Sequence, residues 1–148
     1  MTPYVLGIDP GISGGVAVLN LHGAVIKTIP FSKVETILPF LLLNQKQINR
    51  SYIEQVHAFP KQGVCGVFTF GQNYGWWLGT LGALQFPVVK VYPLKWQTAL
   101  RCRTGGNKNI SKAAAQKLFP HIKVTHQIAD CLLIAEYGRR LATGENDL

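Results

Sequence analysis

The sequence predicts a single α/β domain over residues 1–148, built on a mixed five-stranded sheet and flanked by helices, with strands 1–3 antiparallel and the later ones parallel. Three observations predict it. Apolar runs of strand length open the chain and follow one another across hairpin-like turns. A further run, residues 51–56, has few polar residues, as a central parallel strand does. Helical patterns then alternate with the remaining strand.

Residues 4–9 (YVLGID) read as an apolar strand that Pro10 and Gly11 end. Residues 14–21 (GGVAVLNL) alternate well enough for a second strand, and the tight turn at 21–24 leads into a third at 24–30. Residues 33–47 are expected to be helical, with Ser32 as N-cap and Glu35 completing a capping box. Pro39 falls inside that helix and predicts a kink or a later start. The buried strand at 51–56 comes next, then a Gly-rich stretch at 60–69 that is expected to be irregular. Residues 70–84 form a helix of small residues. Its glycines at 71, 75, 79 and 82 lower helix propensity but permit close approach of another backbone. A last strand at 88–92 is closed by Pro93. Helical patterns follow at 94–101, 111–119 and 127–142, with a polar, basic loop at 101–109.

A chain of 148 residues with 47% hydrophobic and 15% charged content can bury a real core, which excludes the disordered class. No apolar stretch approaches the ~20 residues that a membrane-spanning helix needs. No basic leader followed by an apolar core opens the chain, so no secretion signal is expected. The expected location is cytoplasmic or nucleoid-associated, or organellar if a transit peptide is missing from this sequence. Three cysteines, Cys65, Cys102 and Cys131, are an odd number without metal-site spacing and suit a reducing compartment. The net charge is +8, and residues 88–148 hold ten of the fifteen Lys and Arg but four of the seven acids. Such a basic half favours a polyanionic partner.

Against that basic background, Asp9 and Glu54 end apolar runs, while His126 and Asp130 lie four apart in an otherwise apolar helical stretch. Charged groups are rarely left in such places unless paired or bound to a metal. In open α/β sheets ligands gather at the carboxyl ends of the strands, where Asp9 and Glu54 both fall. His126 and Asp130 share one helix face, so a final helix packing across the sheet would complete the cluster. Several carboxylates around hard cations are what phosphodiester hydrolysis by two divalent metals requires. Asp9 would bridge, Glu54 and Asp130 would complete the two positions, and the imidazole of His126 suits Mn²⁺ as well as Mg²⁺. The residues therefore point to a divalent-metal nuclease.

Three segments together carry a resemblance: Gly7-Ile8-Asp9-Pro10-Gly11 with Ser13-Gly14-Gly15, Ile53-Glu54-Gln55, and Ala129-Asp130 followed by Leu132-Leu133-Ile134-Ala135. In order and spacing they resemble the RuvC family of Holliday-junction resolvases, of ribonuclease-H-like fold, across nearly the whole chain. Glu54-Gln55 with Phe59-Pro60, the aromatic and glycine pattern from Phe70 to Trp77, Ser111-Lys112 and Leu118-Phe119-Pro120 are closer to the chloroplast-type resolvases and their phage and bacterial relatives. The resemblance implies a homodimer that resolves four-way junction DNA by paired symmetric nicks, using two Mg²⁺ or Mn²⁺ per active site. It assigns Asp9, Glu54 and Asp130 to the three acidic positions. The position three before the last acid, where an acid or histidine is usual, is Gln127, so His126 would serve from one residue earlier. Lys112 matches a lysine used near the scissile phosphate.

The family's wedge aromatic after the second acid is replaced by His57, with Phe59 two residues on. The loop 57–70 is therefore the expected sensor of the junction centre, where Lys61 and Gln62 would touch DNA. Phe68 would stack on bases, and Phe70 would close over the core or do the same. Lys95, Arg101, Arg103 and Lys108 are expected to position phosphates. Tyr74, Trp77 and Leu81 on the Gly-rich helix are expected at the dimer interface. Two readings compete: another ribonuclease-H-like nuclease acting on flaps or RNA–DNA hybrids, and a non-catalytic junction-binding protein. The glycines around Asp9 also resemble the first phosphate loop of actin-like kinases, but 148 residues cannot hold both lobes of such an enzyme.

Overall fold

The computed structural model describes residues 1–145. Three strands open it: β1 (Tyr4–Asp9), β2 (Gly15–Asn20) and β3 (Val25–Pro30). A 3₁₀ turn at Phe31–Lys33 leads into helix α1 (Val34–Leu43), then β4 (Ile48–Glu54), α2 (Val64–Ala83) and β5 (Val88–Val91). Three helices follow: α3 (Pro93–Ala99), α4 (Lys108–Leu118) and α5 (His126–Thr143). The five strands form one sheet in the order β3-β2-β1-β4-β5. The β1–β2 and β2–β3 pairs are antiparallel, and β1–β4 and β4–β5 are parallel. This is the mixed sheet that the alternation of apolar runs predicts.

Side-chain alternation along β1 and β4 divides the core into two layers. Leu6, Ile8 and Ile53 pack with Ile37 and Leu41 of α1 and with Trp77 and Leu81 of α2. Val5 and Tyr52 face the opposite way, into a cluster with Leu132 and Ala135 of α5 and Trp96 of α3. Helix α5 lies directly on the sheet because two glycines remove the side chains that would hold it off. A Cβ at Gly7 would overlap the backbone of Cys131 and Ala135, and one at Gly138 would overlap the ring of Tyr52. Tyr52 is itself buried and cannot move aside. Gly138→Ala is therefore expected to lower stability by about 3 kcal/mol, the upper end for overpacking a filled core. Urea unfolding checks this; a loss below about 0.5 kcal/mol would mean that the helix shifts freely.

Three local expectations need correction. Ser32 does not cap α1. The 3₁₀ turn, anchored where the Phe31 amide donates to the Gly14 carbonyl at 2.8 Å, takes up Ser32, and the N-cap position falls to Lys33 without a side-chain bond. The stretch 60–69 is not irregular throughout, because α2 begins at Val64. Residues 64–69 are poor helix formers by propensity, and of them only Val67 is half-buried, the others being exposed. Trp77 and Leu81 cannot form a dimer interface: both are fully buried within the protomer, facing the sheet. Tyr74 is half-buried on the same helix. Pro39 lies inside α1 on its exposed side, where the carbonyl it leaves unpaired meets water.

The far end of α5 is pinned by charge. Arg139 donates to both carboxylate oxygens of Glu136, at 2.8 and 2.9 Å, and reaches the Leu21 carbonyl in the β2–β3 turn at 3.2 Å. It also pairs with Glu145, whose carboxyl these hydrogen bonds hold down at about 2. No described helix is long and apolar enough to cross a membrane.

Candidate active site

The carboxyl ends of β1 and β4 bring two acids together. Gly7 pairs with Tyr52 and Ile8 with Ile53 in the parallel ladder, so Asp9 and Glu54 stand next to each other one residue further on. Two-residue periodicity puts both on the α5 side of the sheet, in line with Val5 and Tyr52. Asp130 enters from α5, one residue before the Cys131 carbonyl that lies over Gly7. The tight loop after β1 wraps Asp9: the Gly11 amide donates to its Oδ1 at 3.3 Å. A Cβ at Gly14 would overlap the aspartate, so only glycine fits there.

Asp9 and Glu54 both feel the charge of a neighbouring carboxylate. Burial, and then the charge of Asp130, push Asp9 up to about 6. Burial, and then the charge of Asp9, push Glu54 up to about 7, with Asp130 adding to the effect. Lys108, at the start of α4, pulls both back down. The indole Nε1 of buried Trp96 donates to Glu54 Oε2 at 2.9 Å and likewise favours the ionised form. Acids whose ionised forms burial and mutual repulsion disfavour, gathered at strand ends, make a candidate functional centre.

Other residues singled out in the sequence are placed differently. His126 is the first residue of α5 and is exposed, and it is not among the groups acting on Asp9 or Glu54. Lys112 is half-buried one turn along α4, while the cation acting on the acids is Lys108. Arg101 and Arg103 are exposed on either side of buried Cys102, whose thiol is raised by burial and by Asp130, so this basic segment borders the acids. Lys61, Gln62, Lys95 and Phe68 are exposed. Phe70 does not close over the core; its ring edge lies 3.6 Å from the Cβ position of Gly11, beside the Asp9 loop. Among the described residues, no three His, Cys, Asp or Glu side chains converge as placed on a single ion position.

The bond from Trp96 to Glu54 was missed in the sequence, whereas Lys108, expected among the cations around the site, does act on the acids. No spacing links residue 96 to residue 54, and the one available signal is that a buried indole N–H seeks an acceptor. Trp96→Phe keeps the ring and removes that donor, so Glu54 is expected to titrate higher still. NMR titration of the Glu54 carboxyl checks it; an unchanged midpoint would mean the bond contributes nothing to the charge balance.

A mixed sheet with carboxylates at the ends of β1 and β4 and a third on the helix crossing them is the ribonuclease-H-like arrangement. Within that class the chain has the fold of RuvC. It superposes on the Thermus thermophilus RuvC structure with a TM-score of 0.60 and 22% identity, over 95% of this chain and 96% of that one. It superposes on T. thermophilus RuvC in complex with a Holliday junction substrate with a TM-score of 0.63 and 23% identity, over 95% and 97%. No protein-family model and no curated protein sequence matches the chain.

Proposed function

We propose that this protein is a structure-selective DNA endonuclease that resolves four-way junctions by paired, symmetric nicks. The observation that carries the reading is the set of Asp9 and Glu54 at the strand ends with Asp130 from α5, and the basic segments of Arg101, Arg103 and Lys108 around it. A protein that only bound DNA would gain nothing by setting three acids against phosphates. The likeness to a RuvC bound to a Holliday junction supports this choice of substrate.

The donor set fits hard divalent cations: oxygen ligands, raised in energy by burial and mutual repulsion, that a cation would relieve. Asp9, Glu54 and Asp130 would hold Mg²⁺ or Mn²⁺ after modest side-chain rotation, with His126 available one turn before Asp130. Two such ions, when bound, supply an activated water and charge stabilisation at the phosphate. The remaining work belongs to the chain. The Gly11 amide and Trp96 fix the orientations of Asp9 and Glu54. Lys108 offsets their repulsion and would meet a phosphate, with Lys112 one turn further along α4. Arg101, Arg103 and Lys95 hold the strand by its backbone, without reading sequence.

Paired nicks need two active sites, and the exposed side of α2 supports a homodimer. Gly71, Gly75 and Gly79 recur every four residues there, and a Cβ on any of them meets nothing within 4 Å. Each glycine costs a helix about 1 kcal/mol relative to alanine, and nothing within the protomer offsets that. Close packing of a second α2 would. Wild-type protein is expected to sediment as a dimer and Gly75→Leu as a folded monomer. A Gly75→Leu dimer would place the interface elsewhere.

The substrate is tested by offering a mobile four-way junction beside linear duplex, a flap and an RNA–DNA hybrid, in Mg²⁺ and in Mn²⁺. Symmetric nicks confined to the junction are expected. Preferred cutting of the flap or hybrid would move the function to another ribonuclease-H-like nuclease.

A further inference from the structure

One edge of the sheet ends beside an uncovered apolar cleft. β5 pairs with β4 alone. The Ser51 amide donates to the Pro87 carbonyl at 2.8 Å and the Gln55 amide to the Val91 carbonyl at 2.7 Å, so alternate residues turn their backbone groups to β4. Those of Val88 and Lys90 point the other way, and no described turn or loop bonds to them. Val89 and Val91 send their side chains to the α5 side. On that side α3 and α5 flank a cleft of about 800 Å³, lined by Tyr92, Leu94, Ala99, Tyr137 and Leu141. Tyr137 is buried at its floor, while Tyr92, Leu94 and Leu141 are exposed by 54%, 57% and 38%. Lys90 is exposed on the opposite side of the strand and makes no ion pair among the described residues. Lys95 also borders the cleft; it is assigned to DNA, and the contact argued below needs nothing from it.

We propose that the β5 edge and this cleft seat an extended peptide segment of a partner protein, added to the sheet as a sixth strand, with apolar side chains on either side of an acidic one. The outward amides and carbonyls of Val88 and Lys90 supply the main-chain pairing that strand addition uses. Alternation then dictates the chemistry of the segment. Side chains facing α5 enter an apolar cleft, and the one between them meets the ammonium of Lys90. A lysine alone is a common guard of an exposed edge, but a guarded edge does not carry three large exposed apolar side chains beside it. Self-pairing of β5 with a second copy would set Lys90 against Lys90, which like charges disfavour. A DNA backbone has no N–H groups to offer the free carbonyls, and its phosphates gain nothing from apolar walls. The cleft also leads away from the acids, since Leu141 lies three turns beyond Asp130 on α5, about 16 Å along the helix. The seat asks nothing of those acids, so the inference stands apart from the nuclease reading.

The probe is a set of short, labelled, end-blocked peptides in which Phe, Leu or Val alternates with Asp, beside the same set with Lys in place of Asp. Binding to the full chain is followed by fluorescence anisotropy, and amide hydrogen exchange is measured on the complex. Two variants change exposed side chains, so the fold is kept: Lys90→Glu and Leu141→Glu. Wild-type protein is expected to bind the Asp set about tenfold tighter than the Lys set, the scale of one surface ion pair turned into a repulsion. Lys90→Glu is expected to reverse that preference. Leu141→Glu is expected to weaken both sets by at least about tenfold, because it sets a charge against the apolar anchor. Exchange at the Val88 and Lys90 amides is expected to slow on binding. No binding of either set below about 1 mM, unchanged exchange at both amides, or a preference that survives Lys90→Glu would overturn the seat. Displacement of the peptide by a four-way junction would give the surface to DNA. An oligomer that Leu141→Glu dissociates would give it to a second copy, and either result would overturn the proposal.

Discussion

Asp9→Asn is expected to abolish junction cleavage while making the metal-free protein more stable at neutral pH. The two effects have one cause. Asp9 lies at the centre of the acidic trio, and its ionised form is disfavoured by burial and by Asp130. Asparagine keeps the shape and can still accept from the Gly11 amide, but it carries no charge. The repulsion on Glu54 falls with it. Cleavage needs that charge to hold the cations, and losing several kcal/mol of transition-state stabilisation corresponds to at least about a thousandfold in rate. Single-turnover cleavage and urea unfolding of the same preparation measure both. A variant that cuts normally, or one that loses more than about 1 kcal/mol of stability, would show that Asp9 is structural.

The same charges predict an unusual dependence on pH. Asp9 is raised from 3.8 to about 6 and Glu54 from 4.5 to about 7, so between about pH 4 and pH 7 the folded protein holds protons that the unfolded chain has released. Stability contributed by these two acids is therefore full below about pH 4 and is lost as pH rises through their folded values. Each shift corresponds to roughly 3 kcal/mol at about 1.4 kcal/mol per unit, and because each acid raises the other, the pair gives less than twice that. Divalent cation should restore the loss above pH 7, since it binds the folded ionised site and not the unfolded chain. The clean measurement is the difference in unfolding free energy between wild type and Asp9→Asn across pH 4 to 8, with and without Mn²⁺. The metal-free difference should widen with pH and close on adding metal; a flat difference would contradict the coupling.

Much of the site could be read from the sequence because its acids end apolar runs. The periodicity that defines β1 and β4 also fixes which side Asp9 and Glu54 face. Asp130 is legible for a similar reason, as a charge within an apolar helix that packs on the sheet through Gly7 and Gly138. What was not legible depends on contacts between distant segments. Nothing in the spacing of residues 54 and 96 announces the indole–carboxylate bond. Lys108 and Lys112 lie one turn apart, and only the placement of α4 brings the first of them to the acids. Trp77 and Leu81 read as interface residues because they sit among glycines, yet they face the sheet while the glycines face outward. The start of α2 was hidden because intrinsic propensity at residues 64–69 opposes a helix.

The central claim is that three carboxylates form one divalent-cation site. It is tested most directly by titrating Mn²⁺ into wild-type protein saturated with a junction made cleavage-resistant at the scissile linkages and counting bound ions by electron paramagnetic resonance. Asp9→Asn, Glu54→Gln and Asp130→Asn are measured alongside. The account predicts two ions per protomer in wild type and loss of at least one in every variant. Bound Mn²⁺ unchanged across all three variants would contradict it.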